Sequence, residues 1–224
     1  MSNAIIITAA GKGTRFGDPR GKIFTEIQGK PMILHTYESL FKHVSFSELI
    51  ITIEKERIED LKLILSVLPY DERVTIIPGG ETRFESVRNA FFAIRTNPTR
   101  IWIHDGARPF ISSELLTRME TDSQRFPCVI PGIPVVDTIK IADDHMMVTQ
   151  TPARKYLYQI QTPQIFQTEI LRSAYKKMDG NFEAITDEAF LVEKAGYAIK
   201  IIPGDPRNIK ITYQNDIKIF TLPT

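Results

Sequence analysis

The stretch IIITAAGKGTRFG, residues 5–17, joins an apolar run to a glycine-rich loop with no polar linker between them. Ile5 to Thr8 is too brief for a helix and rich in β-branched residues, so it reads as a buried strand. The small residues that follow let the backbone come close to a ligand and leave amide hydrogens free for phosphate oxygens. Ala9, Ala10, Gly11 and Gly13 therefore form a candidate phosphate or nucleotide loop. Two better-known fingerprints are excluded. No Gly-Lys-Ser/Thr follows four intervening residues, and Gly17 is displaced by one position from the third glycine of the dinucleotide motif. The glycines alone favour an ordinary turn. Arg15 and Lys22, two cations on the same loop that can flank a triphosphate, shift the reading towards a nucleotide.

Further strand-sized runs occur at Leu49 to Ile53, Val74 to Ile77, Ile101 to Ile103 and Cys128 to Ile130. Helical spacing occupies Pro31 to Phe41, Glu56 to Leu68, Arg83 to Ile94 and Ser113 to Thr121. This alternation implies parallel strands with crossover helices, a doubly wound, mostly parallel α/β sheet. Pro31 suits a first helical position, and Thr82 with Glu85 has capping-box spacing. Thr186, followed by Asp187 and Glu188 and closed by Gly196, brackets another helix with Thr186 as its cap. After Pro134 the alternation breaks down. Val135 to Thr151, with Asp143-Asp144 as a turn, reads as an inserted hairpin that projects from the domain. No repeat or linker argues for a second domain, so residues 1–224 are expected to be one domain with an arm at about 135–152.

If the sheet is open and parallel, ligands collect at the carboxyl ends of its strands. Two more clusters fall at that edge. In PGGETRFESV, Gly79 and Gly80 end a strand, and Arg83 and Ser86 sit on the first turns of a capped helix. Such a helix start can bind an anion or the polar edge of a base. In IWIHDGARPF, Asp105 and Arg108 lie just past an apolar strand, where a carboxylate can hold Mg²⁺ against a triphosphate. His104 is expected to be structural, because a phosphate nucleophile is already ionised and needs no base.

Composition narrows the partners. The 28 Lys and Arg residues against 27 acidic ones give a formal charge of +1, which offers no broad field for nucleic acid or an anionic membrane. No apolar run approaches the roughly 18 residues of a membrane span. The single Cys128 cannot form an internal disulfide, and no charged and apolar leader opens the chain, so a cytoplasmic setting is expected.

The motifs AAGKGTRF, GGETRFESV, HDGARPF, PVVDTIK, QTPQIF, ITDEA and NIKIT, in this order from Ala4 to Ile219, resemble those of the 2-C-methyl-D-erythritol 4-phosphate cytidylyltransferases. The resemblance implies CTP and a sugar alcohol phosphate as substrates, a divalent cation such as Mg²⁺, and a homodimer interlocked through the inserted arm. It also implies that Ala9, Ala10, Gly11, Gly80, Glu81, Arg83 and Ser86 meet the cytidine, with Asp105, Gly106 and Arg108 near ribose, metal and substrate. Arg15 and Lys22 would hold the triphosphate. Thr138, Arg154, Thr162, Thr186 and Lys210 would handle the acceptor, Thr138 and Arg154 in the partner's site. Two positions depart from the family pattern. Gly21-Lys22-Ile23 stands where Pro-Lys-Gln is usual, and Gly106 where alanine is more usual. The competing readings are a ribitol (pentitol) 5-phosphate cytidylyltransferase, a nucleotide-binding protein without catalysis, and a sugar nucleotidyltransferase using UTP or GTP. The last shares the first loop but not GGETRFES or QTPQIF.

Overall fold

The computed structural model describes residues 2–11, 13, 16–17, 21–69, 71–178 and 185–218, so Arg15 lies outside the described residues. The strands are β1 (Asn3–Thr8), β2 (Glu26–Ile27), β3 (Lys30–Pro31), β4 (Glu48–Ile53), β5 (Val74–Pro78), β6 (Arg100–Asp105), β7 (Cys128–Pro134), β8 (Ile141–Ala142), β9 (Val148–Gln150), β10 (Tyr158–Ile160), β11 (Gln164–Gln167) and β12 (Lys200–Pro203). The α-helices are α1 (Met32–His43), α2 (Ile58–Leu65), α3 (Arg83–Ala93), α4 (Ser113–Arg125), α5 (Thr168–Lys177), α6 (Glu188–Lys194) and α7 (Gln214–Lys218).

The main sheet has eight strands, ordered β10-β7-β11-β6-β1-β4-β5 with β12 added on β7. β1 runs parallel to both β4 and β6, and β4 parallel to β5. From β1 the chain winds outward through β4 to β5 and then returns to the far side of β1 as β6. The carboxyl ends of these strands therefore border a switch point, where open sheets of this kind form a crevice.

Alternation along β1 accounts for the layers. Ile5 and Ile7 face the core shared with Leu34 and Leu40 of α1 and Leu115 and Met119 of α4. Ala4 and Ile6 face the opposite core, with Phe84 and Val87 of α3 and Leu171 of α5. Both faces of the strand are buried, so it reads as a continuous apolar run rather than an alternating one.

Several expectations need correction. The βαβ alternation missed the antiparallel insertion: β11 runs antiparallel between β6 and β7, and β10 pairs with the outer half of the same β7 edge. A cis Thr162–Pro163 bond lies in the turn that separates them. Their sequence, YQIQTPQIF, is polar enough to pass for a loop, yet Gln164 is 1% exposed because its amide is used inside the fold. Pro31 ends β3 and caps α1 with ψ 137, an extended geometry, rather than occupying the first helical turn. α2 is shorter than expected because a 3-10 turn, Lys55–Arg57, precedes it. The capping box of Thr82 and Glu85 is present in full. Thr186 does not cap α6. Asp187 does, its carboxylate accepting from the Phe190 amide at 2.8 Å.

The inserted hairpin is present as β8 paired with β9, its turn held by Asp143 Oδ1, which accepts from the amides of His145 and Met147. Its residues are exposed throughout.

Candidate active site

A cleft of about 390 Å³ opens at the carboxyl ends of β1, β5 and β6. The first loop supplies Thr8, Ala9, Ala10, Gly11 and Gly13, and the start of α3 supplies Glu81, Thr82, Arg83 and Ser86. Asp105, Lys22, Lys210 and Thr212 complete its polar lining. Elements from four separate parts of the chain thus meet, as the motif order suggested.

Close packing explains the small residues. A Cβ on Gly79 would stand 2.2 Å from the Ala10 Cβ, so only glycine lets the end of β5 lie against the first loop. Gly13 has φ +57, a left-handed conformation, and a Cβ there would reach the Lys22 Cβ at 3.2 Å. Gly80 donates its amide to Ser86 Oγ at 3.0 Å, and that hydroxyl in turn donates to the Thr82 carbonyl. Gly106 donates to the Thr8 carbonyl at 2.8 Å and has no room to spare, since a Cβ would meet that same oxygen at 3.0 Å and Ile33 Cδ1 at 3.1 Å.

Asp105 is the electrostatic centre. Its Oδ1 accepts from Arg83 Nε at 3.1 Å, and Oδ2 receives Lys210 Nζ at 2.9 Å and Arg108 Nε at 3.5 Å. Burial alone would raise its pKa, but Arg83, then Lys210 and Arg108, hold the carboxyl well below the usual range. Arg83 also reaches Glu188, Nη1 to Oε2 at 2.7 Å. Glu188 is fully buried, and that burial pushes its pKa up against the pull of Arg83.

His104 is structural, as expected. Its Nε2 faces the Arg108 carbonyl at 3.2 Å, which can only accept, so Nε2 carries the proton. Nδ1 then accepts from Thr162 Oγ1 at 3.0 Å, and the same oxygen accepts from the Asp105 amide at 3.0 Å. Desolvation lowers the pKa of His104 to about 4, so the ring is neutral.

Arg108 and Thr162, expected at the acceptor, lie beneath the cleft rather than in its lining. Arg108 is 8% exposed and donates Nη1 to the Asn208 carbonyl at 2.8 Å. Asn208 donates to the Thr162 carbonyl at 2.7 Å, and Gln161 Nε2 donates to the carbonyls of Asp205 and Asn208. Together with the Ile211 amide on the Ala107 carbonyl, these bonds fix the segment that presents Lys210. Thr186 is exposed just ahead of α6. Thr138 and Arg154 lie on the exposed arm and its base, where Arg154 Nη1 donates to the Val136 carbonyl, and neither lines this cleft.

Sequence reasoning missed Glu188, Asn208, Gln161 and Gln164. Glu188 stood in plain view in ITDEA, but a glutamate after a helix cap ordinarily reads as a solvated first-turn charge. Nothing local marks it as buried.

Among the described residues no three His, Cys, Asp or Glu side chains converge as a metal site, and no helix is long and apolar enough to cross a membrane.

Comparison with known proteins gives one answer. A family model described as 2-C-methyl-D-erythritol 4-phosphate cytidylyltransferase matches residues 3–221. The protein of that name from Alkaliphilus metalliredigens is 36% identical over 217 residues, 96% of this chain and 90% of its own length. The one from Caldanaerobacter subterraneus is 32% identical, covering 99% of this chain and 98% of its own. The solved 4-diphosphocytidyl-2C-methyl-D-erythritol synthase of Anaerococcus prevotii superposes with a TM-score of 0.83 at 32% identity, covering 97% of this chain and 95% of that one. With the match spanning nearly every residue and every element that builds the cleft, this chain belongs to the 2-C-methyl-D-erythritol 4-phosphate cytidylyltransferase family of nucleotidyltransferases.

Proposed function

We propose that the cleft transfers CMP from CTP to 2-C-methyl-D-erythritol 4-phosphate, giving 4-diphosphocytidyl-2-C-methyl-D-erythritol and pyrophosphate. The observation that carries this reading is the convergence of Lys22 and Lys210 on one cleft whose walls are the first loop and the start of α3. A phosphate oxygen of the acceptor attacks the α-phosphorus of CTP in line, a new P–O bond forms, and the bond to the bridging oxygen breaks with pyrophosphate leaving. The attacking oxygen is already ionised, so no base is required and His104 has no proton to move.

The protein supplies position and charge. Ala9, Ala10, Gly11, Gly13 and the Gly80–Ser86 segment admit the nucleoside and its phosphates. Lys22, with Arg15, neutralises charge on the phosphates, and Lys210 opposes the repulsion between the two anions. The acceptor is held by Lys210 and Thr186 and, from a second copy of the chain, by Thr138 and Arg154. This treats the chain as one domain whose arm, about residues 135–152, interlocks a cytoplasmic homodimer.

The donor set suits Mg²⁺ only as an ion that arrives with the triphosphate. Asp105 offers one carboxylate, and its oxygens already carry Arg83, Lys210 and Arg108. Mg²⁺ commonly takes one or two carboxylates together with substrate phosphates and water. Asp105 would hold it, and its charge would screen the triphosphate.

The deciding experiment measures pyrophosphate release with each nucleoside triphosphate paired with methylerythritol 4-phosphate or with ribitol 5-phosphate. Turnover is expected with CTP and methylerythritol phosphate. Turnover with ribitol phosphate alone would overturn the proposal.

A further inference from the structure

Arg83 bridges two buried carboxylates, yet it binds Asp105 through Nε alone. Its Nη2 is buried and has no hydrogen-bond partner among the described residues. That matters because an arginine facing a carboxylate ordinarily forms a fork of two parallel bonds, and the fork is the stronger arrangement. Here it is not formed, and the second carboxylate oxygen, Oδ2, is left to Lys210 at 2.9 Å, with Arg108 Nε farther off at 3.5 Å.

The cause lies on the other side of the guanidinium. Glu188 Oε2 holds Nη1 at 2.7 Å. Glu188 is in turn fixed by the sheet: Gln164 of β11 donates Nε2 to the capping Asp187 at 2.7 Å and accepts from the Ala189 amide through Oε1 at 3.2 Å. Both ends of one buried amide thus clamp the start of α6, with Glu188 between the two clamped residues. The carboxylate is fully buried, so solvent cannot replace it.

We infer that Glu188 is a positioning residue: by holding the Arg83 guanidinium away from a two-bond fork on Asp105, it keeps Oδ2 for Lys210 and so places the Lys210 ammonium in the cleft. Without its charge, Arg83 turns its spare Nη2 onto Oδ2 and Lys210 loses its anchor. This rests on the cytidylyltransferase reading for its assay, but not for its geometry.

The test is a double-mutant cycle on the whole chain, read as pyrophosphate release from CTP and methylerythritol 4-phosphate. Glu188→Gln is expected to lower kcat/KM by roughly tenfold to a hundredfold, the range for residues that orient a functional group through one intermediary. The loss should fall in kcat with little change in the KM for CTP. In a Lys210→Ala background the same substitution should do nothing further, because the group it acts through is gone. A merely structural role would lower thermal stability and reduce activity equally in both backgrounds, and that result overturns the inference. A crystal structure of Glu188→Gln should show Arg83 forked on Asp105 with Lys210 out of salt-bridge range. An unchanged Lys210–Asp105 pair would also overturn it. If Glu188→Gln does not fold, Glu188→Asp carries the same cycle, since its carboxylate is one methylene short of Arg83. Absence of turnover in the unmodified protein would count against the assigned reaction, and the crystal structure would still decide the role of Glu188.

Discussion

The ground around Asp105 and the arm at 135–152 solve opposite problems. Around Asp105 the chain buries charges and pairs them with one another, leaving Arg83 Nη2 without a partner among the described residues: three cations meet one carboxylate, and Thr162, Asn208 and Gln161 lock the surrounding backbone. The arm does the reverse. It exposes apolar side chains, Met146 at 83% and Val136 at 75%, and Arg154 at its base does not line the cleft of its own chain. A short two-stranded hairpin with exposed methionines and valines is marginal alone, which supports the proposal that the arm is half of an interface. On the proposed reading, the cleft draws its nucleotide contacts from its own chain and part of its acceptor contacts from the arm of a second copy.

The sharpest way to break that comparison is to remove the cations that line the cleft from its own chain, Lys22 and Lys210. Lys210→Ala and Lys22→Ala should each cost on the order of 10²–10³ in turnover, the scale of one lost donor to a developing anion. Steady-state kinetics on variants whose thermal unfolding matches the parent decide it. Near-normal turnover would remove these lysines from the mechanism.

Next in size is a pH effect confined to the buried half. The folded-state pKa of His104, about 4, lies below the ordinary histidine value of 6.5 because burial disfavours the charged ring. Between those values the unfolded chain binds a proton that the folded chain excludes, so stability falls as pH drops through that window. The loss approaches roughly 3 kcal/mol by the lower end. Asp105 adds to it only below the ordinary aspartate value of 3.8, where its folded-state carboxylate resists protonation. Urea unfolding from pH 7 to 4 should show this slope, and His104→Gln should flatten it. Activity should show no limb belonging to His104, as the ring stays neutral.

A smaller effect, about tenfold in kcat/KM, is expected from Arg154→Ala, since an exposed cation holds a phosphate less tightly than a desolvated one. Mixing subunits locates that cation. If Arg154 serves the partner's cleft, Arg154→Ala and Lys210→Ala chains combined in one dimer leave one intact site, and activity returns. If it serves its own, every site keeps a lesion and mixing restores nothing.

What the sequence revealed follows the same division. β1, β4 and β6 were legible because strands buried on both faces are continuous apolar runs bounded by glycine and charge, and the half-buried edge strand β5 was legible as a short β-branched run ending at Pro78 and Gly79. The cleft was legible where backbone chemistry demands small residues, at Ala9–Gly13 and Gly79–Gly80. The antiparallel β10 and β11 were not, because their glutamines are buried through long-range hydrogen bonds that leave no periodic trace. Glu188 and Asn208 escaped for the same reason: their roles depend on Arg83, Arg108 and Thr162, residues 105, 100 and 46 positions away. Arg108 and Thr162 were singled out by motif, but only the packing shows them holding Asp105 and the Lys210 segment from below.

The smallest expected effect sits just outside the cleft, at Gly21, the residue before Lys22. Its φ is +88, which proline cannot adopt and other L-residues adopt only with strain, so the family's usual proline does not fit the loop in this conformation. Gly21 precedes the 3-10 turn Lys22–Phe24 and so aims Lys22. The nearest atoms a Cβ there would meet among the described residues are Arg57 Nη1 at 3.2 Å and the Phe24 ring at 3.4 Å. The guanidinium can shift, and the backbone strain then dominates. Gly21→Ala should therefore cost about 1 kcal/mol of stability and raise the KM for CTP a few-fold through Lys22, with kcat for bound substrates little changed. Unaltered stability would mean that the left-handed conformation is not imposed by the fold, and that Lys22 is aimed by the residues after it instead.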